Sequence, residues 1–413
     1  MNQYYTPPTP PLPLPIKEPW ALLGGLSPAD FMRDHWQKKP LLVRNAIPAF
    51  QLMKANGAEL ESPITPKDLS QFATSDMVES RLVQSAPWKL RHGPFTTKAI
   101  PSLTRKNWTL LVQGMEALHP AAATVLSWFR FIPDYRLDDL MISIAGPGGG
   151  VGPHLDSYDV FLIQMSGRRR WSIEHEPKKG FIDGLPLKIL SEFNPDEEWL
   201  LEPGDMLYLP PQIAHDGIAL DPGTQTWSVG FRSPSWRELL QETLWRLSDQ
   251  LEDDSSLSQV ITDPYQSATD KPALIPTRLT QELKKQFNQL PWHGKDLEEL
   301  LEFSIGEILS EPKAQIVFHA PQKPLSENNF RQACLKSGLN VHSQTRLTIS
   351  GDYMFCNGAL LTYLDQKSDT LSAWLSLANQ RAWTPIQARR FISYPSMFEA
   401  IYEGYLDGWF VLN

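Results

Sequence analysis

Two imidazoles and a carboxylate stand at a spacing that suits a single metal ion. His154-Leu155-Asp156 follows the glycine-rich turn Gly152-Pro153, and His215 comes sixty-one residues later. Side chains at i and i+2 of a strand point to one face, so His154 and Asp156 can grip the same ion while Leu155 faces away. Neutral imidazole and carboxylate suit iron(II), and three such ligands on one side leave the other side open for a co-substrate and dioxygen. Cysteine would bias the site towards zinc or clusters, but Cys334 and Cys356 lie far along the chain and are expected to be reduced thiols. A bare His-x-Asp pair also arises by chance in an ordinary strand, so its surroundings decide.

Those surroundings are short strands punctuated by glycine and proline. Pro203-Gly204-Asp205 is a turn feeding the apolar strand Met206-Leu207-Tyr208-Leu209, which stops at Pro210-Pro211 and sets His215 just beyond a strand end. Asp159 to Gln164 reads as a buried strand, Ser166-Gly167 as a turn, and Arg168 to Ile173 as the next strand. From about Asp138 to Phe231 this pattern predicts a double-sheet jelly roll of the cupin type, whose mouth is a natural metal pocket.

The combination of His154-x-Asp156, Pro203-Gly204-Asp205, Leu207-Tyr208-x-Pro210-Pro211 and His215 resembles the JmjC branch of the 2-oxoglutarate oxygenases. More closely, Asp138 to Ser143, Pro147 to His154, Gly167-Arg168-Arg169-Arg170-Trp171 and Ser228 to Arg232 resemble the bacterial ribosomal oxygenases. The resemblance runs from about Trp20 to the C-terminus. It implies an Fe(II)- and 2-oxoglutarate-dependent dioxygenase that uses O2 to hydroxylate an arginine side chain of the sixteenth large-subunit ribosomal protein. Hydroxylation of a histidine in another ribosomal protein is the alternative it leaves open. A cupin-fold metal-binding interaction protein without turnover is the reading from a different class.

Residue by residue, the resemblance implies iron ligation by His154, Asp156 and His215. It puts Arg169 on the far carboxylate of 2-oxoglutarate, which a guanidinium holds through two parallel hydrogen bonds. It also implies Ser143 at the co-substrate and Asp138 and Ser228 at the substrate guanidinium, although Asp138 could equally face solvent and Ser228 satisfy a strand edge. Arg168 and Arg170 should point to the opposite face of their strand as surface charge. The glycines at 148 to 150 lack the Gly-Lys-Ser/Thr ending of a phosphate loop, so close backbone approach beside the iron is expected.

The chain of 413 residues carries 38 basic and 47 acidic side chains, a formal net charge of −9. That balance disfavours general nucleic-acid binding and favours a basic protein partner. No apolar run reaches membrane-span length and no signal peptide is evident, so a cytoplasmic protein is expected.

Four segments are read, the whole being mainly β with helices (α+β). Residues 1–19 are expected to be a disordered Pro-rich arm, and residues 20–232 the JmjC double-stranded β-helix with N-terminal helices. The latter begin at Ser27-Pro28-Ala29-Asp30 and Thr65-Pro66-Lys67-Asp68, each an N-cap followed by proline and an early acid. Residues 233–311 are expected to form a helical region: Ser235 and Glu238 make a capping box, and Trp236, Leu239, Leu240, Leu244, Leu247 and Leu251 trace one face. The resemblance implies that this region forms a homodimer. Residues 312–413 suit a winged-helix-like domain, with strands around 346–361, the hairpin signal Asn357-Gly358, and helices near 370–377 and 395–405. No basic recognition helix stands out there, so a protein-contact or structural role is expected.

Overall fold

The computed structural model describes residues 3–11, 14–178, 180–252, 277–290, 294–313, 316–364 and 369–412, which fall into two compact units, Met1–Ser233 and Pro234–Asn413. In the first unit, alternating strands build two antiparallel sheets. The major sheet runs in the order Leu41–Val43, Met206–Leu209, Val160–Ser166, Thr224–Phe231, Leu137–Ala145, Trp108–Val112, Ser80–Gln84, Lys89–His92. The minor sheet runs Glu197–Leu201, Arg169–Glu174, Ala214–Ala219, His154–Leu155. From His154 onward the chain passes repeatedly between the two sheets, with Arg169–Glu174 and Glu197–Leu201 paired as one hairpin in the minor sheet, which is the connectivity of a double-stranded β-helix. The expected jelly roll is therefore present. Its major sheet also recruits four strands that precede Asp138.

Strand parity sorts the two faces of the major sheet. Val160, Leu162, Leu207 and Leu209 meet Trp171, Ile173 and Leu201 of the minor sheet in a layer between the sheets. Phe161, Ile163, Tyr208, Trp227 and Val229 face the other way, into a larger core completed by the N-terminal helices. Helix Pro28–Asp34 starts where Ser27 Oγ accepts from Asp30 N, and helix Pro66–Phe72 starts with a full capping box between Thr65 and Asp68. The first helix buries Phe31 completely, its ring edge-on to Tyr208 at 4.9 Å. Truncating such a ring removes about 3–5 kcal/mol of stability. This helix ends two residues short of Trp36, which packs on Phe231 at 5.1 Å instead of extending it.

The arm expected to be disordered is docked in its described part. Gln3–Tyr4 pairs in parallel with Leu60–Glu61, Tyr5 is buried against Phe50 at 5.1 Å, and Trp128 Nε1 donates to Pro8 O at 2.8 Å. Proline content suggests an unanchored chain, but one buried aromatic with backbone pairing on either side outweighs the entropy of ordering a few residues. Residues 12 and 13 lie outside the described residues.

The second unit opens with helix Trp236–Glu252, and helices Thr277–Gln289 and Gly294–Ser310 follow. Residues 253–276 and 291–293 of the segment read as dimerising lie outside the described residues. Trp236, Leu240 and Leu244 of the expected stripe are exposed, whereas Leu247 is buried. Helix Gly294–Ser310 packs on a three-stranded sheet, Leu347–Ser350, Tyr353–Cys356 and Ala359–Tyr363, through Phe303 edge-on to Tyr353 and Phe355. Gly306 admits the Phe355 ring, which would lie 2.0 Å from a Cβ there. Helices Glu327–Ser337, Asp369–Gln380, Pro385–Phe391 and Pro395–Leu406 close a separate core around Phe330, Trp374 and Phe410. Cys334 and Cys356 are free and buried. No helix among the described residues is long and apolar enough to cross a membrane.

Candidate metal centre

His154 and His215 sit directly opposite each other on paired strands of the minor sheet, their rings 4.2 Å apart between centroids. Strand His154–Leu155 ends before Asp156, whose carbonyl accepts from Gln212 N at 2.8 Å. The carboxylate of Asp156 comes back to 3.6 Å from His215 Nε2. The three ligand atoms lie within 4.8 Å of one another, a group that could hold a metal ion.

Each imidazole is oriented by its other nitrogen. His154 Nδ1 donates to Gly152 O at 2.8 Å and His215 Nδ1 donates to Ile213 O at 3.0 Å, since a carbonyl can only accept. Both Nε2 lone pairs are thereby turned towards Asp156, which fixes the tautomer a ligand needs. Burial, and then the neighbouring His154, hold His215 down at about 4, so it is the neutral base that coordinates. Burial, and then the nearby Asp156 carboxylate, push the hydroxyl of Tyr158 up. Two neutral imidazoles and one carboxylate on one side of a cavity are the ligand set of non-haem iron(II) oxygenases.

Arg169 shares the inward face of its strand with Trp171 and Ile173, and Ile173 pairs directly with His215. It is 3% exposed, yet only Nη1 has a protein partner, Gly217 O at 3.0 Å; Nε and Nη2 have none. Those two donors form one edge of the guanidinium, the edge that matches a carboxylate. Burial pulls this group down to about 10, with Asp216 pulling the other way, so it stays cationic at neutral pH. A buried cation with an unpaired fork is a cradle for an anion. Arg168 and Arg170 face outward as expected, paired with Asp221 and Glu198.

The remaining expected residues divide. Ser143 and Ser228 are buried on the inward face of the major sheet, where Ser143 Oγ donates to Thr226 O at 3.3 Å and Ser228 pairs with Met141. Of the two adjacent acids, Asp138 is partly exposed. Asp139 is 8% exposed, accepts from Gly114 N at 3.1 Å, and turns Oδ1 towards the inward position of Gly230. The glycine run makes the close approach expected of it, but to protein backbone: a Cβ on Gly149 would lie 2.1 Å from Trp108 O, and one on Gly150 2.6 Å from Gly217 O. Asp139 and Tyr158 lie near the candidate site without standing out in the sequence. The motif that contains Asp138 held the signal for Asp139, because Asp139, Met141 and Ser143 share strand parity.

A double-stranded β-helix carrying two histidines and an aspartate at its mouth is the architecture of a non-haem iron(II) oxygenase, and the JmjC domain family model matches residues 124–239. A ROXA-like winged helix matches residues 289–410, so the match takes in helix Gly294–Ser310. The chain is 34% identical to the Escherichia coli ribosomal protein uL16 3-hydroxylase over 80% of its own length and 84% of the relative's. It is 35% identical to a probable ribosomal oxygenase of Haemophilus influenzae over 52% of each chain. The solved structure of E. coli YcfD superposes with a TM-score of 0.77 at 30% identity, covering 94% of this chain and 98% of that one. A structure of the same protein in complex with cobalt and 2-oxoglutarate superposes with a TM-score of 0.75, again at 30% identity and with the same coverage. The chain belongs to the bacterial ribosomal oxygenases of the JmjC 2-oxoglutarate oxygenase family.

Proposed function

We propose that this protein is an Fe(II)- and 2-oxoglutarate-dependent hydroxylase of an arginine side chain in ribosomal protein uL16, working in the cytoplasm as a homodimer. The observation that carries the reading is the pairing of the His154, Asp156 and His215 triad with the unpaired Nε and Nη2 edge of Arg169 on the same inward face. The triad suits iron(II), and the fork suits the far carboxylate of the co-substrate. A metal-binding module without turnover has no use for that cation. Likeness to a uL16 3-hydroxylase over most of both chains favours uL16 as the target.

His154 Nε2, Asp156 and His215 Nε2 would hold the metal, which with co-substrate and dioxygen supplies the oxidising power that turns C–H into C–OH. The chain's own work is placement. Arg169 fixes the co-substrate from the minor sheet, and Ser143 faces inward from the major sheet. Asp139, in place of Asp138, supplies the carboxylate for the substrate guanidinium, and Ser228 presents a hydroxyl two positions from Thr226 on the same inward face. Leu162, Leu207 and Trp171 line the layer beneath and keep water from the reacting carbon. The exposed Trp236, Leu240 and Leu244 support helix-to-helix pairing of two copies. The proposed domains are 20–232, 233–311 and 312–413.

Incubation with iron(II), 2-oxoglutarate and uL16 should add one oxygen, about sixteen mass units, to a single arginine, with matching succinate release. Succinate release with no oxygen on uL16 would overturn the substrate, and no stimulated turnover with any ribosomal protein would overturn the activity.

A further inference from the structure

The 137–145 strand leaves its neighbour's register where Val229 and Phe231 are separated by a bulge, and at that point a second element takes hold of it. Gly114 N donates to Asp139 Oδ2 at 3.1 Å, and Leu140 N donates to Glu116 Oε2 at 3.0 Å. Gln113, the residue before Gly114, stands between Asp139 and Arg81. With its amide nitrogen towards the acid, it donates to Asp139 Oδ2 at 3.0 Å and accepts from Arg81 Nη2 at 2.7 Å. Arg81 can only donate, so it forces that orientation on the amide. Directly paired positions carry the inward face from Arg81 through Leu111, Ser143 and Thr226 to Gln164, which puts Arg81 on the same wall as the site.

We infer that Gln113 and Arg81 form a relay that aims the Asp139 carboxylate at an incoming guanidinium and so sets the preference for a cationic substrate side chain. The inference rests on the reading of Asp139 as the substrate's counter-charge. Arg81 locks the amide, the amide and Gly114 hold Oδ2, and Oδ1 is turned inward beside Gly230. Without the lock, the acid keeps its charge but loses its direction. Gln113 and Arg81 act through Asp139 and are positioning residues.

The test measures affinity for two uL16 peptides, one with arginine at the target position and one with the neutral isostere citrulline. It is run anaerobically with the full chain, manganese(II) and 2-oxoglutarate. Gln113→Leu should lower affinity for the arginine peptide roughly tenfold, the scale of one charge-assisted hydrogen bond, and leave the citrulline peptide unmoved. A purely structural role would weaken both alike. Arg81→Met, approached from the other end, should shift the same ratio in the same direction and carries the test if Gln113→Leu does not fold. An arginine-to-citrulline ratio unchanged in both variants but abolished in Asp139→Asn would overturn the relay and leave the reading of Asp139 intact. A ratio unchanged in Asp139→Asn as well would overturn that reading.

Discussion

Replacing Arg169 by methionine keeps much of the side-chain volume and removes the cation and both unpartnered donors. Two consequences of opposite sign follow. Each hydrogen bond from a cation to a carboxylate contributes about 1.5–3 kcal/mol, so losing the Nε and Nη2 pair removes about 3–6 kcal/mol from co-substrate binding. That corresponds to a rise of roughly 10²-fold or more in the KM for 2-oxoglutarate. In the ligand-free protein the same guanidinium is a liability, because its fall from 12.5 to about 10 reflects about 3 kcal/mol of burial unfavourable to the charge. Against this stands the bond to Gly217 O at 3.0 Å, worth about 1–2 kcal/mol. The variant should therefore fold at least as stably as the parent, by about 1 kcal/mol or more. Thermal melting with and without 2-oxoglutarate reads both effects: the parent rises with ligand, and the variant starts higher and does not respond. A KM within tenfold of the parent, or a ligand-free variant that melts several degrees lower, would refute this account of Arg169.

Stability of the metal-free protein should fall on acidification through His215. Its unfolded imidazole takes a proton near 6.5 and its folded one only near 4, so between these values the unfolded state binds more protons. About 3 kcal/mol, full above pH 6.5, is lost as the pH falls to 4, and His215→Asn should flatten that slope in urea titrations at successive pH values. Tyr5→Ala should lower stability by about 2–4 kcal/mol, as for other buried large side chains, while a freely moving arm would give no change in melting temperature. Leu240→Glu with Leu244→Glu should shift the sedimenting species towards the monomer without altering the far-ultraviolet spectrum; an unchanged mass would place the self-association elsewhere.

The metal ligands and Arg169 were legible because their chemistry is coded by residue type and by the two-residue period of a strand. Asp139, proposed in place of Asp138, was legible only through its parity with Ser143, which the bulge opposite Val229 and Phe231 obscures. The strands Ser80–Gln84 and Lys89–His92 escaped because their inward positions carry Arg81 and His92 as well as Val83 and Leu90, blurring the alternation. Helix Pro385–Phe391 did carry a readable start, with Thr384 and Gln387 in a capping box behind Pro385, and its shortness hid it. The docked arm depends on Tyr5 meeting Phe50, a contact between residues forty-five apart that no local pattern records.

The ladder that pairs His154 with His215 is only two residues long on one side. Backbone bonding alone would hold so short a strand weakly, and a slip by one residue would turn Leu155 to the cavity in place of both ligands. A metal ion can join this centre only when the register is right. The catalytic centre therefore doubles as a proofreader of strand alignment, and amides flanking residues 152–156 should gain protection from exchange on metal loading out of proportion to the rest of the sheet.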